Sequence, residues 1–423
     1  MKRPTFQLLL LAALSTSAAM GQTTPQINCS TGSAARKLVC EFPFSTGGLA
    51  AGTSASETAT AINTGIATQV SQLPLASASA GTVEVYKSGV YETFNNLGPI
   101  LTDRAQVVGK GKVFIGFTGS QYVFTDIDGI SLGKLPFAYS QTSYYPNTTT
   151  PISTTYTSET TNLAFRLDQF VGVATVGVSK RIDVTVIVPI ERVSLGATSS
   201  ASTSYIQNAG SATAVGPITN PGNYTPGSAS GLGDLTFNEK TVLQNGERAT
   251  FSAGFTMRTP TGDDRNLLGS GSWGFNPYII YSYLAKVSPH AKFGYQWNTK
   301  TELNNPTDAF GKNRSLPGGM NYDLGADWAM AKRLTVAGDL LGNQYLNTPV
   351  YLLSQISVPT AAGSVPLASG TIGNSSYTIN DLSAGVKLNA FREFVISANV
   401  LVQLNNNGLR SRPTPLIGVS YKF

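Results

Sequence analysis

Residues 249–258 read ATFSAGFTMR, with an apolar side chain at every second position and a small or polar one between. A period of two places alternate side chains on opposite faces of a β-strand. The same alternation recurs at 182–190, 293–297 and 394–404. The chain is therefore predicted to be all-β over most of its length beyond residue 104.

The predicted strands are long. Many have ten or more residues, whereas strands of globular proteins usually have about five or six, and about 9–11 tilted residues are enough to cross a bilayer. An even strand number is expected of a bacterial single-chain barrel. We place 12 strands near residues 104–118, 160–179, 181–198, 232–245, 247–260, 273–286, 288–300, 318–331, 333–346, 376–390, 393–406 and 411–423.

The connections between these strands alternate in length. Five are tight turns, of which Asn245-Gly246 is a strong hairpin signal. Most of the others are long and rich in Ser, Thr, Gly, Pro and Asn, especially 125–159, 199–231, 301–317 and 347–375. Short turns on one rim and long loops on the other are typical of outer-membrane barrels. The predicted fold is an antiparallel transmembrane β-barrel of about 12 strands, with both of its ends on the periplasmic side.

The composition excludes several other classes of protein. Charged residues make up 12% of the 423 residues, and the chain has one His and two Cys. One His cannot build a multi-His metal site, and two Cys cannot build a zinc ribbon. The net charge of +6 is spread over the whole length without a basic cluster, so no nucleic acid partner is expected. We predict no metal and no cofactor.

The first 21 residues have the features of a secretory signal. Lys2 and Arg3 precede the short apolar segment Leu8–Leu14, and such a segment is too short to span a bilayer as a helix. We expect cleavage after Gly21 and export of the mature chain. In an oxidising compartment, Cys29 and Cys40 are expected to form a disulfide that closes a small loop.

Residues 22–103 lack the strand pattern and are predicted to be an N-terminal extension that precedes the barrel domain, 104–423. Within the extension, 59–73 has the spacing of a short amphipathic helix, and 83–91 that of a short hairpin. Two roles remain open for the extension: a flexible periplasmic tail, or a plug folded into the barrel lumen.

The chain ends in LIGVSYKF, residues 416–423, in which apolar residues alternate up to a terminal aromatic one. This ending resembles the signal read by the bacterial barrel-insertion machinery, carried here by Gly418, Tyr421 and Phe423. It departs at Leu416, where a polar residue is usual. The resemblance implies the insertion machinery and outer-membrane lipid as partners, and the bacterial outer membrane as the location.

A second resemblance lies in the middle of the chain. It is carried by Gly231-Leu232-Gly233-Asp234, by Arg258-Thr259-Pro260-Thr261-Gly262-Asp263, by Leu268-Gly269-Ser270-Gly271 and by Asn276-Pro277-Tyr278. These motifs resemble those of the outer-membrane barrels of the MetA-pathway phenol-degradation family, and the resemblance covers about 104–423. It implies passage of small hydrophobic compounds across the outer membrane, and the family's description suggests aromatic ones.

Charged residues within the strands are expected to point into the lumen, because an Arg or Asp facing lipid at mid-membrane costs a few kcal/mol. They either form a paired, hydrogen-bonded lumen or build a selectivity constriction. The candidates for a constriction are Arg166, Asp168, Arg248, Arg258, Asp323, Asp327 and Asp339.

An enzyme and a non-transporting surface barrel are the alternatives to passive transport. Some barrels of this size are phospholipases that use Ser, His and Asn, but His290 is predicted to lie at a short turn, on the rim away from the outer leaflet. An enzyme is therefore not expected. The long Ser/Thr/Asn loops also fit a non-transporting surface barrel with an adhesive or envelope-structural role. The preferred prediction is an outer-membrane channel for passive passage of small hydrophobic compounds.

Overall fold

The computed structural model describes residues 38–40, 62, 64–70, 73, 83–87, 90–94, 96–145, 149–208, 212–214, 222–223, 227–304 and 314–423. Most of them belong to one closed antiparallel barrel of twelve strands. The barrel strands are β1 (Val113–Ile127), β2 (Pro151–Gly177), β3 (Ile182–Gln207), β4 (Thr236–Asn245), β5 (Ala249–Arg258), β6 (Gly274–Tyr283), β7 (Val287–Asn298), β8 (Gly319–Ala331), β9 (Leu334–Thr360), β10 (Gly363–Phe391), β11 (Phe394–Gln403) and β12 (Thr414–Lys422).

The barrel closes because β12 pairs with β1, in a register that runs from Leu416↔Ser120 to Lys422↔Phe114. Every other strand pairs with its neighbours in chain order. Five connections are short, at 178–181, 246–248, 284–286, 332–333 and 392–393. They lie at one end of the barrel, which we call the short-turn end; the opposite end is the long-loop end. The predicted fold class and strand number are confirmed.

The long-loop end contains more strand than the sequence predicted. Residues 347–375, expected to be a loop, continue β9 and β10 into a hairpin paired as far as Thr360↔Gly363. The expected loop at 125–159 contains Leu135–Tyr144, which pairs with the start of β2. These Ser- and Thr-rich segments resemble loops in composition. Beyond the membrane, however, a strand needs no apolar outer face, so the alternation that identified the other strands disappears.

The first barrel strand begins at Val113, whereas the sequence predicted strand from residue 104. Residues 104–112 instead approach β1 from inside the barrel. Gly109 and Gly111 have φ of 100° and 75°, which turn the chain at little steric cost because glycine has no Cβ. This turn is held against the end of β2 by hydrogen bonds from the Gly111 amide to the Gly177 carbonyl, 2.8 Å, and from the Gly177 amide to the Lys112 carbonyl, 3.0 Å.

The outer face of the barrel carries a belt of exposed apolar side chains. Phe117 and Phe170 stack there with ring centroids 5.9 Å apart, and Ile190 and Ile417 lie at the same level of neighbouring strands. Exposure of large apolar side chains all around a barrel is the arrangement that faces lipid. Among the described residues, no helix has the length and apolar character to cross a membrane.

The remaining elements are short. Val83–Lys87 and Val90–Phe94 form the predicted hairpin, and residues 64–70 are helical, within the predicted amphipathic helix. The signal segment 1–21 and Cys29 lie outside the described residues, so the cleavage site and the disulfide with Cys40 stay predictions. The other strands are Ile130–Ser131, Thr213–Ala214, Gly222–Asn223, Gly227–Leu232, Lys300–Thr301, Arg314–Ser315 and Leu409–Ser411, and the 3-10 turns are Leu38–Cys40, Leu132–Lys134, Asp264–Asn266 and Glu302–Asn304.

Candidate functional site in the barrel lumen

Residues 96–108, which we call the inner segment, lie in the short-turn half of the lumen and have no regular secondary structure. Side chains of the barrel wall form hydrogen bonds with the backbone amide and carbonyl groups of this segment. The Ala105 amide donates to Ser282 Oγ at 2.9 Å, and the Ala105 carbonyl accepts from Ser252 Oγ at 2.6 Å. The Leu97 amide donates to Thr335 Oγ1 at 3.0 Å. Irregular backbone inside a membrane barrel requires such partners, because an unpaired buried amide is costly.

Charged groups add a second set of anchors. Lys240 Nζ of β4 lies 3.1 Å from Asp103 Oδ2 and donates to the Arg104 carbonyl at 2.8 Å. On β3, Asp183 Oδ2 accepts from the Val108 amide at 2.8 Å. On β10, Lys387 Nζ donates to the carbonyls of Leu97 and Pro99 at the other end of the inner segment. The inner segment is thus held from several sides of the barrel.

His290 lies at the centre of a third anchor. The sequence placed it at a short turn beside the start of the seventh strand; it is the fourth residue of β7, close to the 284–286 turn, and its side chain is only 2% exposed. Its Nε2 is 2.8 Å from Asp339 Oδ1 and 2.8 Å from Thr102 Oγ1, and its Nδ1 is 3.5 Å from Asp327 Oδ2. A hydroxyl, an imidazole and a carboxylate are the groups from which nucleophilic sites are built. Here, however, Nε2 is shared with a second carboxylate and the whole group is buried under the inner segment, so we interpret it as an anchor.

The seven candidates for a constriction are divided by the structure. Asp327 and Asp339 meet at His290, as described above. Asp323 faces Lys292 across β7 and β8 at 3.9 Å. Arg258, nearly buried, donates to Asn298 Oδ1 at 2.9 Å and lies 3.5 Å from Asp234 Oδ2.

Three of the candidates do not lie in the lumen as expected. Arg166 and Asp168 form an ion pair of 2.8 Å on the outer face of β2, opposite to the buried Leu167 and Gln169. Arg248 is exposed in a short turn. The alternation distinguishes two faces of a strand but does not say which one points inward. On β2, the polar part of the outer face also lies beyond the apolar belt, where a charged side chain does not face lipid.

The long-loop half of the lumen contains an apolar cluster that is bordered by buried polar groups, such as the ion pair of Arg410 and Asp381, 2.6 Å apart. Ile62, Ile66 and Val70 are buried against a cluster of wall residues, and Gln69 binds the wall by accepting from the Leu409 amide at 2.8 Å. A cavity of about 30 Å³ borders Ala67 and Val70, and one of about 40 Å³ borders Gln69; each is large enough for one or two water molecules. The wall residues of the cluster include Tyr122, Phe124, Leu163, Phe165, Leu167, Val193, Leu195, Leu267, Leu268, Leu341, Leu401 and Leu409.

Three of the four motifs that carry the family resemblance meet around one carboxylate at the long-loop end. Asp234 accepts from the Gly262 amide at 3.0 Å, from the Ser270 amide at 2.8 Å and from Ser270 Oγ at 2.5 Å. Gly269 packs against Gly262 so closely that neither has room for a Cβ. Segments 28 and 36 residues beyond Asp234 are thus tied to it at the rim, with Arg258 just inside. This cluster also borders one of the two lumen cavities.

Sequence reasoning missed the wall-facing polar residues of the inner segment, Asn96, Thr102, Asp103 and Gln106, because they precede the alternating region. One signal was available: the polar residues Thr102, Asp103, Arg104 and Gln106 lie shortly before Gly109 and Gly111. No group of three or more His, Cys, Asp or Glu side chains suited to a metal ion occurs among the residues that the structure describes.

The chain matches one protein-family model and is similar to several solved structures of β-barrels. The model of the family described as "Putative MetA-pathway of phenol degradation" matches residues 146–345. No curated protein matches the chain. Similar solved structures include an outer membrane channel from Pseudomonas putida F1 (12% identity, 75% of this chain and 98% of that one, TM-score 0.43), the NanC porin (8%, 73% and 100%, 0.37) and the toluene transporter TbuX from Ralstonia pickettii (9%, 74% and 90%, 0.27).

The family match spans the motifs that meet at Asp234, and the fold is the one that the motifs implied. Together with the closed twelve-stranded wall and its apolar outer belt, this match shows that the chain is a β-barrel of the outer-membrane type that resembles the MetA-pathway phenol-degradation family.

Proposed function

We propose that this protein is an outer-membrane channel that is closed at rest by its own N-terminal residues and allows passive passage of small hydrophobic compounds when it opens. The observation that carries the proposal is the inner segment. Its anchors are wall side chains of at least six strands, and they all point into the lumen. A barrel wall that devotes so many polar side chains to an internal segment is built to hold a plug.

The orientation follows from the barrel class. In outer-membrane barrels the short turns lie in the periplasm, so the inner segment would close the periplasmic half. The extension 22–103 would then be a plug rather than a tail, and the plug would continue to residue 108. Export would depend on the signal segment, and assembly on Gly418, Tyr421 and Phe423 as the insertion signal.

The solute class is inferred from the walls. Aliphatic and aromatic side chains pack against Ile62, Ile66 and Val70 in the long-loop half. Displacement of these residues would leave an apolar entrance that favours hydrophobic solutes, including aromatic ones. The polar lumen below it, with Asp323, Asp327 and Asp339, would form the constriction; Arg258 would line the entrance at the long-loop rim, whereas Arg166, Asp168 and Arg248 would take no part in it.

The test is solute uptake by intact cells of a porin-deficient host that expresses the full chain. We expect faster initial uptake of radiolabelled toluene and phenol at micromolar concentration than in the same host without the protein, and unchanged uptake of glucose. Equal uptake of the aromatic solutes with and without a folded barrel would contradict the proposal.

That contrary result would favour the alternative, a non-transporting surface barrel. One observation supports the alternative. The extensions of β9 and β10 pack against the strand Leu135–Tyr144, where Ser369 Oγ accepts from the Ala138 amide at 3.1 Å. These extended hairpins form an ordered structure beyond the belt that an adhesive role would use.

A further inference from the structure

A cluster of arginines lies on the outer face of the barrel, outside the lumen described above. Arg166 pairs in register with Val123 of β1, whose carbonyl accepts from the Arg412 amide at 2.9 Å. On the other side of β2, Asp168 is the register partner of Arg192 on β3. Arg166, Arg192 and Arg412 are all exposed. We call these three residues the arginine cluster.

The arginine cluster lies directly beyond the apolar belt, at its long-loop edge. On β3, Arg192 follows Ile190 by two residues, and Ile190 is 49% exposed. On β2, Asp168 and Arg166 come just before Phe170, which is 47% exposed and stacks on Phe117. In a membrane barrel, this edge is where the headgroups of the outer leaflet meet the protein.

The surface at this point is concave. A groove of about 400 Å³ is lined by Arg166 and Arg412 and by the small residues Ala164, Ser194 and Gly196. The small residues leave room beside the two guanidinium groups, so that a bulky headgroup could approach the wall. The groove opens to the outside of the barrel, because Ala164 and Gly196 share a strand face with the exposed Arg166 and Arg192.

The charge of the cluster determines the ligand class. The three arginines share this surface with one carboxylate, Asp168, which holds Arg166 by hydrogen bonds of 2.8 and 3.0 Å and accepts from Gln121 at 2.9 Å. The pair orients Arg166, and Arg192 and Arg412 supply an excess of positive charge. Guanidinium groups bind phosphate oxygens in a bidentate manner, and basic clusters at a membrane surface attract anionic headgroups.

We propose that Arg166, Arg192 and Arg412 bind the phosphate groups of the phosphorylated glycolipid that forms the outer leaflet, a lipid of the lipid A type. The arginines would hold the phosphates at the groove while the acyl chains lie along Phe117, Phe170 and Ile190 below. This inference rests on the outer-membrane placement in the proposed function, but it does not depend on transport.

The test is binding of lipid by the purified, folded mature chain in detergent, measured by native mass spectrometry. The two ligands are diphosphorylated lipid A and the same lipid with both phosphates removed. The test variant is R166Q/R192Q/R412Q. The control variant, R181Q/R248Q/R333Q, removes three exposed arginines from the short-turn end, where the structure uses only their backbone groups in hydrogen bonds.

We expect the wild type and the control variant to bind diphosphorylated lipid A alike and to bind the dephosphorylated lipid more weakly. With about a fivefold contribution from each arginine, the test variant should lose about a hundredfold in affinity. Unchanged binding by the test variant, or an equal loss in the control variant, would overturn the proposal. So would displacement of the lipid by millimolar inorganic phosphate, which would indicate a site for the free anion.

Folding and location are checked separately. Heat-modifiable gel mobility shows that each variant is a folded barrel, and cell fractionation shows whether the protein reaches the outer membrane. If the protein is absent from the outer membrane, the proposed function fails, whatever the lipid result. If it is present and lipid binding is insensitive to the test variant, only the lipid site fails.

Discussion

Replacing Lys240 with methionine is expected to release the inner segment from the barrel wall. The ammonium group of Lys240 is 4% exposed and the carboxylate of Asp103 is 10% exposed. Nζ lies 3.2 and 3.1 Å from the two oxygens of Asp103 and 2.8 Å from the Arg104 carbonyl. Methionine has similar length but no charge, so the substitution leaves the carboxylate buried and removes the cation that lies 3.1 Å from it.

The magnitude follows from that burial. Removal of one partner of a buried ion pair costs roughly 3–5 kcal/mol, because the other charge stays desolvated. The backbone hydrogen bonds between the barrel strands are unchanged, so most of the lost free energy is lost from docking of the inner segment. The docking equilibrium should therefore shift toward the undocked state by more than about a hundredfold. Combining K240M with D103L removes both charges and should restore most of the docking.

The assay is single-channel conductance of the mature chain in planar bilayers. We expect frequent openings for K240M and few for the wild type and for K240M/D103L. The matched control is K292M, since Lys292 is another lumen lysine but pairs with Asp323 of the wall at 3.9 Å and with the Tyr278 ring. Conductance of K240M equal to that of the wild type, or equal openings in K292M, would refute the argument that this pair holds the plug.

Three further outcomes are expected. G177A should abolish the folded, heat-modifiable form, because a Cβ there would overlap the Gly109 carbonyl, whereas G119A, with open space at its Cβ, should fold normally. D234N should lower the free energy of unfolding, measured by thermal unfolding, by about 2–4 kcal/mol, because it weakens three hydrogen bonds to Asp234 and its buried ion pair with Arg258. D168N, which alters an exposed ion pair, should lower it by less than about 1 kcal/mol. Asp264 lies in a 3-10 turn at the long-loop end. Burial is the main cause and the nearby Glu302 the second cause that raise the pKa of its carboxyl from 3.8 to about 6. The stability linked to this group is therefore present below about pH 4 and is lost as the pH rises through 6. D264N should therefore be more stable than the wild type at pH 7.5, by about 1 kcal/mol after solvent screening, and equal to it near pH 4.

Much of the barrel follows from local sequence alone. Alternation marks strands such as β5 because a strand that faces lipid on one side must be apolar at every second residue. Turn residues such as Asn245 and Gly246 mark the short connections. These are local requirements, which each segment must satisfy whatever its position in the barrel. Where the requirement is absent, as in the water-exposed hairpin of β9 and β10, the sequence pattern predicted a loop and was wrong.

The lumen depended on tertiary structure. His290 meets Asp327, Asp339 and Thr102 only because three strands and the inner segment converge, and no spacing along the chain encodes that meeting. The motif residues around Asp234 could be quoted from the sequence, yet their common role appears only when the rim brings them together. Strand alternation separates two faces without saying which one is inside. The direction of Arg166 was therefore decided by closure of the barrel, which alone gives a sheet an interior.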